Sequence, residues 1–442
     1  MTIYSALRDT EESISFRRRN WMMVVLVLAT AFSSIDRQVI GMLLEPIRKE
    51  FGLSDTQLGI LSGPAFTVLY AVLALPLAVL SDRTSRRAVV AASLAAFSTM
   101  SALCGMALSY PMLLLFRMGV AVGEAGVVPS SQALVADIYP KKELTSAMSR
   151  LYLSQSVGGV LAFLLGGLLT GVVGWRLTLI LLGVPGLFIA ALSLILVPQR
   201  NSGASRPGSA KTIKIPLRRS LAFLWSQRTY RMLTLANAVW SFAGAAIALW
   251  AAPFISRTYG LSPLKIGLVM AVAVGLSGAA GLFVLGGVAQ RKSVVDARWI
   301  LWVVAIALAV SVPLVLVTFL TDSGWVALVT GCLVAFLAIS SQGPVASVVQ
   351  ILVPGHMRSI AVAVKHVAVT AVGAGSGPLA VGMLNDFFAH EFGTQAIRYS
   401  LVIMGLFYGL AAILFYMASR TFIADAKIAE QWSLPMKSQS AS

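Results

Sequence analysis

The chain has 442 residues, of which 58% are hydrophobic and only 12% charged, and its mean hydropathy is +0.85. A soluble protein carries roughly 25% charged residues, so this composition excludes a water-soluble enzyme or binding module and implies a multi-span membrane protein. The formal net charge of +17 would suggest a nucleic-acid partner in a soluble chain, but here its distribution reads as membrane topology, and no nucleic acid is expected.

Residues 1–20 are polar and read as a cytoplasmic segment. They are not expected to be a cleavable signal peptide, because the apolar run that follows is too long. That run, 21–44, suffices to cross a bilayer, which takes about 20 mostly apolar residues. Inside it sit Asp36 and Arg37. A charge at that depth costs at least ~2.5–3.5 kcal/mol on insertion scales, so such residues face a partner or a watery cavity. Neighbours on a helix point roughly 100° apart, so these two do not pair with each other and their partners belong on other spans. Further apolar runs follow at 56–80, 88–108, 111–136, 144–172, 176–197, 230–256, 262–289, 298–320, 325–352, 358–388 and 396–420. The expected fold is an all-α membrane protein of twelve transmembrane helices.

Basic residues set the orientation. Most of the 34 Lys and Arg fall near the chain ends and in the even-numbered loops, including Arg17 to Arg19, Arg83, Arg86, Arg87, Lys141, Lys142, Arg291 and Lys292. Basic loops stay cytoplasmic, so both termini are expected inside. The polar stretch 198–229 divides a bundle at 21–197 from a second at 230–421, leaving a tail at 422–442. Its first part, Asn201 to Ser209, is rich in Gly, Ser and Pro and reads as flexible linker. From Pro216 to Trp225, Arg218 and Arg219 stand against Leu217, Leu221, Phe223 and Leu224. That pattern fits a short helix on the inner membrane surface or a plain solvated linker.

The halves repeat. Pro140, after Asp137-Ile138-Tyr139, precedes Ala147 by the same spacing that separates Pro354 from Ala361. Duplicated halves imply two pseudo-symmetric six-helix bundles with a substrate site between them near the midplane. Arg117 and Glu124 lie seven residues apart on the fourth span, within about 20° of each other around the helix, and face the cavity that Asp36 and Arg37 enter. Asp36 and Glu124 are the candidates for proton handling. Arg37 and Arg117 are the candidates for holding an anion, because a guanidinium stays charged and forks two bonds onto a carboxylate or phosphate. A purely structural four-charge cluster is the alternative.

Other intramembrane polar residues are further candidates. Arg150 opens the fifth span and would meet an anionic headgroup or snorkel to the inner surface. Lys365 and His366 open the eleventh, where Lys365 suits a headgroup and His366 serves either binding or packing. Asn237, Trp240 and Ser241 on the seventh are candidate cavity-lining residues. The runs Gly158-Gly159…Gly166-Gly167 and Gly373…Gly377-Pro378…Gly382 suit close helix packing or a hinge. At the cytoplasmic side, Asp82, Arg83, Arg86, Arg87 and Asp137 form a candidate gate of charges. Enzyme chemistry has no support: there is no HExxH, no GxxxxGK[ST] and no Gly-x-Ser-x-Gly, and His356, His366 and His390 lack metal-ligand spacing. Cys104 and Cys332 suggest neither a disulfide nor a metal site. No cofactor is expected.

The Asp82-Arg83…Arg86-Arg87 loop resembles the cytoplasmic motif of the major facilitator superfamily, with Ala78 where Gly is usual, and Arg117 with Gly123 and Glu124 falls at that superfamily's span-4 arginine motif. The stretches Ile35 to Gly41, Leu44 to Ile47 and Asp55 to Gly59, with Arg117 through Gly123-Glu124-Ala125 to Pro129-Ser130, look like its spinster branch, bacterial type. The resemblance implies a proton-coupled secondary transporter of an amphipathic anionic substrate, a lysolipid or sphingosine-phosphate-like lipid, working by alternating access. Transport of small organic anions or drugs, or a non-transporting sensor on the same fold, are the alternatives. The expected setting is the plasma (inner) membrane of a bacterium, as a monomer, with membrane lipids, the small substrate and protons as partners.

Overall fold

The computed structural model describes residues 16–139, 141–197, 217–354 and 357–433. Span 1 is Phe16–Phe51. Span 2 is Asp55–Ser62 continued by Pro64–Arg83, span 3 is Arg86–Gly105 and span 4 is Tyr110–Ile138. Lys141–Leu196 carries spans 5 and 6. In the second half, span 7 is Arg228–Tyr259. Span 8 runs from Pro263–Met270 through a π-helical turn, Ala271–Leu276, into Ser277–Ser293. Span 9 is Trp299–Leu320, and span 10 is Gly324–Ile339 followed by Gln342–Ile351. Span 11 joins Arg358–Ala368, a second π-helical turn at Val369–Ala374 and Gly377–Phe392, and span 12 is Ala396–Ser433.

Among the described residues, ten continuous segments are long and apolar enough to cross a membrane. Two of them, Ser146–Leu196 and Ile360–Trp432, contain a reversal, so the architecture is that of twelve crossings. The first reversal is at Gly174, whose φ of 76° lies where side chains rarely go. An even number of crossings puts both termini at one end of the molecule, called here the terminal end, opposite the far end. Helix is the required conformation because hydrocarbon offers backbone groups no partner outside the segment. Span starts are marked locally: Ser54 closes a capping box with Gln57, and Ser85 and Ser323 accept from Ala88 N and Val326 N.

Two helices outrun their apolar stretches. Span 1 begins at Phe16 and ends at Phe51, beyond the 21–44 read from hydropathy. Span 12 continues past 420 to Ser433, so part of the expected tail is helix. Its extension is held by packing: Phe422 and Ala429 are buried, and Asp425 Oδ2 accepts from Thr229 N at 2.7 Å, satisfying a free donor at the start of span 7. The connection between halves forms a helix at Leu217–Ser226. It buries Phe223 and Leu224 and sets Phe223 4.7 Å from the Trp432 ring. Arg218 and Arg219 are exposed, beside Leu221 and Trp225. The Gly/Ser/Pro-rich linker, 201–209, lies outside the described residues, as does His356.

Candidate functional site

The four charges of spans 1 and 4 form two crossed pairs. Arg117 Nη1 donates to Asp36 Oδ2 at 2.6 Å, and Ser101 Oγ donates to Asp36 Oδ1 at 2.5 Å. Arg37 Nε stands 3.4 Å from Glu124 Oε2, which also accepts from Ser33 Oγ at 3.2 Å. Helix geometry explains the crossing: Asp36 and Arg37 point to different sides of span 1, and each finds the opposite charge on a different turn of span 4. The pairs are unequal. Both Asp36 oxygens have partners at short distance, whereas Glu124 Oε1 is buried with no hydrogen-bond partner. Asp36, Arg117 and Glu124 are 4%, 3% and 0% exposed. Charges buried so completely are tolerated only when paired, so spans 1 and 4 are locked in register. Arg117 lies over the Phe66 ring at 4.9 Å and Arg37 over Tyr70 at 5.9 Å. Ser33, Ser101, Phe66 and Tyr70 carry no signal in the sequence that singles them out.

A cavity of about 1550 Å³ lies between the halves. Arg37, Arg117, Phe66, Tyr70 and Gln132 line it from the first half, and Asn237, Trp240, Ser241, Lys365 and His366 from the second. Asp36 and Glu124 do not line it; they sit behind the two arginines. Among its described lining residues Arg37, Arg117, Lys265 and Lys365 are cationic and none is Asp or Glu. The Trp240 Nε1 donor is buried there without a partner. Arg150 is not part of this wall. It is exposed, and it stacks over the Tyr139 ring at 5.5 Å, where Arg19 also sits at 5.0 Å. Its long side chain reaches that terminal-end ring instead of the cavity.

Of the expected gate residues, the side chains of Asp82 and Arg83 lie outside the described ones. Arg86 Nη1 donates to Asp137 Oδ2 at 2.6 Å and to Ala133 O at 3.2 Å, while Arg87 Nη1 donates to the carbonyls of Leu194 and Val197 at 3.0 and 3.1 Å. These contacts tie spans 3, 4 and 6 of one bundle, so rocking one bundle against the other does not by itself part Arg86 from Asp137.

A second charge cluster joins the two bundles at the far end. Arg257 of span 7 donates to Glu45 Oε2 at 2.8 Å and to Asp55 Oδ2 and Oδ1 at 2.5 and 2.8 Å. Asn385 Nδ2 donates to Asp55 Oδ2 at 2.9 Å, and Asp386 accepts from the backbone N–H groups of Asp55 and Thr56 at 3.0 and 2.8 Å, capping span 2 from span 11. Small residues let the backbones close here: a Cβ at Gly59 would stand 2.8 Å from Leu379 Cα, and one at Gly167 would stand 2.6 Å from Pro263 O. Nothing in the sequence singles out this trio as a cluster, because only the fold brings positions some 200 apart into contact. Among the described residues no group of three His, Cys, Asp or Glu could hold a metal.

Comparison with known proteins follows the same lines. The Major Facilitator Superfamily profile matches residues 26–368. An MFS-type efflux pump of Mycolicibacterium smegmatis is 30% identical over 413 residues, covering 92% of this chain and 94% of its own. A sphingosine-1-phosphate transporter of Danio rerio is 23% identical over 90% of this chain and 84% of its own. The crystal structure of a bacterial homolog of the human lysosomal transporter spinster, inward-facing and unoccupied, superposes with a TM-score of 0.86 at 27% identity, covering 93% of this chain and 99% of that one. Twelve apolar crossings in two halves, buried charges on spans 1 and 4 and these likenesses lead to one conclusion: the chain belongs to the Major Facilitator Superfamily, as a transporter of its spinster branch.

Proposed function

We propose that this protein moves an amphipathic anion, of the lysolipid or sphingosine-phosphate class, across the plasma membrane of a bacterium by proton-coupled alternating access. The observation that carries the reading is the cavity itself: four cations and no carboxylate among its described lining residues, on otherwise largely apolar walls. An anion entering it meets Arg37 and Lys365 from opposite halves, and an attached hydrocarbon meets Ala248, Ala251 and Phe254. The sphingosine-1-phosphate transporter among the relatives supports the same substrate chemistry. The 30% identical efflux pump favours a second reading, export of other amphiphilic anions through the same cavity.

Coupling follows from the unequal pairs. Glu124 and an anionic substrate compete for Arg37, since one guanidinium satisfies one carboxylate or phosphate at a time. Protonating Glu124 releases Arg37 to the cavity, and its idle Oε1 gives the added proton a place. By linkage, substrate binding and protonation then favour each other. Asp36, held at both oxygens, keeps Arg117 in place. With both termini cytoplasmic, as the basic loops imply, the latched far end is the outer face and this conformation is open inward. Rocking the bundles would break the Arg257 latch and open the outer side.

The test is uptake into proteoliposomes under an imposed proton gradient, comparing a lysolipid with a small organic acid. Gradient-dependent movement of the lysolipid supports the reading. Movement of the small acid alone overturns the substrate class, and transport indifferent to the gradient overturns the coupling.

A further inference from the structure

The cavity does not stop at the midplane. Its wall follows span 10 from Ala346 to Trp325, and at 1.5 Å per residue that is about 30 Å, close to the whole hydrocarbon thickness of a bilayer. This reach lies inside the second bundle. Gly331, Ala335 and Ala338 of span 10 line it together with Ala248 and Ala251 of span 7, and these small side chains leave room for an apolar slot. The π-helical turn of span 8 contributes Ala273 to the same wall. At the far end the slot reaches Lys265 on span 8 and Trp325 on span 10, both exposed, Trp325 by 78%. The inter-bundle latch at Arg257 is meanwhile closed.

We propose that this slot is a tail channel with its own lateral mouth between the far ends of spans 8 and 10. Through it the acyl chain of a single-chain anionic lipid reaches the far leaflet while the headgroup is still held at Arg37 and Lys365. The occupant is argued from three features. The slot is continuous with the cationic cavity, so head and tail are accommodated by one molecule. Its walls are mostly apolar, with Thr318, Ser323 and Tyr259 toward the far end, so it favours hydrocarbon over ions. Its mouth has the residue types that settle at a membrane–water interface, a tryptophan and a lysine whose stem is apolar and whose head seeks water or an anionic headgroup. The headgroup therefore needs the rocking motion, and the tail does not. This inference rests on the lipid reading above and adds the route of the chain.

The experiment uses the whole protein in proteoliposomes with lysophosphatidic acids of increasing chain length, each with a photoactivatable diazirine at the chain end. In the unsubstituted protein the long-chain probe should label span 10 between Trp325 and Ala338. Apparent affinity should rise about three- to fourfold for each methylene added, the value for full burial of a CH₂. In Gly331→Trp, where an added Cβ meets only Thr318 Cγ2, at 3.6 Å, that rise should stop at the length that reaches the plug. Labelling confined to the terminal-end mouth, at Gln132 or Tyr152, overturns the channel and leaves the lipid reading intact. Affinity independent of chain length with no labelling anywhere overturns both. Because labelling is read in the unsubstituted protein, a Gly331→Trp chain that failed to fold would not spare the proposal.

Discussion

The two halves repeat one architecture and handle opposite problems. In the first, spans 1 and 4 bury Asp36, Arg37, Arg117 and Glu124 in two crossed pairs. In the second, the facing surface of span 7 offers Asn237, Trp240 and Ser241, and that of span 10 offers alanines, glycines and Gln342. Buried charges demand fixed partners, so the first half is held by short, directional contacts. The described cavity-lining residues of spans 7 and 10 include no charge and make no such demand. Among the described residues the second half also carries the two π-helical turns, in spans 8 and 11, at points where it meets the first half: a Cβ added at Gly375, just past the second turn, would stand 3.3 Å from Thr67, and one at Gly275 would run into Val160. Such turns interrupt the regular ladder and recur at functional sites. Under the proposed function the first half holds the proton and, with Lys365 of the second, the anion, while the apolar walls of the second half take the hydrocarbon.

The strongest way to break this comparison is to unbalance the charged half. Asp36→Asn leaves Arg117 buried without a counter-charge, and the expected cost is about 3–5 kcal/mol of stability. A thermal-unfolding midpoint equal to that of the unsubstituted protein would show that the pair does not lock spans 1 and 4. Somewhat smaller is the effect expected at the joint between halves. Arg257→Gln removes the cation that joins the halves and leaves Glu45 and Asp55 to Arg48 of their own half, 3.4 and 3.2 Å away, and a loss of about 2 kcal/mol moves a two-state balance about thirtyfold. The balance should move toward the outward-open form, read as faster labelling of Ser241→Cys by a membrane-impermeant thiol reagent added at the outer face. Unchanged labelling would remove the latch from the gating scheme.

Arg37→Lys sharpens the comparison further, because it keeps the charge and removes the fork. Replacing bidentate contact with a point charge should weaken binding of the anionic substrate by about 2 kcal/mol, near thirtyfold. The chain-length dependence should be preserved, since the tail lies in the other half. Equal affinity in a direct binding titration would assign the headgroup to Lys365 alone.

Much of this was legible in the sequence, because a charge in hydrocarbon has few places to go. The cost of charge in an apolar run draws Asp36, Arg37, Arg117 and Glu124 together, and they form two pairs; Lys365 suits a headgroup and His366 either binding or packing, and both line the cavity. Composition and hydropathy likewise gave the twelve crossings. Which acid takes which base was not legible, because it depends on the rotation and depth at which spans 1 and 4 meet. For the same reason the pairing of Arg257 with Glu45 and Asp55 was not legible, and of the two readings of Arg150, a headgroup contact or snorkelling to the inner surface, its exposed position over Tyr139 fits the second. Hydropathy ended the last helix near 420, whereas Phe422, Asp425 and Trp432 extend it through packing and capping that a window average does not register.

If substrate and Glu124 exchange a single guanidinium, as proposed, binding the anion draws in a proton. The most direct measurement is proton uptake on adding a lysophosphatidic acid to the purified protein in weakly buffered solution near neutral pH. Net proton uptake, of up to one proton per bound substrate, is expected in the unsubstituted protein, because linkage makes binding and protonation favour each other, and none in Glu124→Gln, which should still bind. No uptake by the unsubstituted protein, or the same uptake by Glu124→Gln, would contradict it.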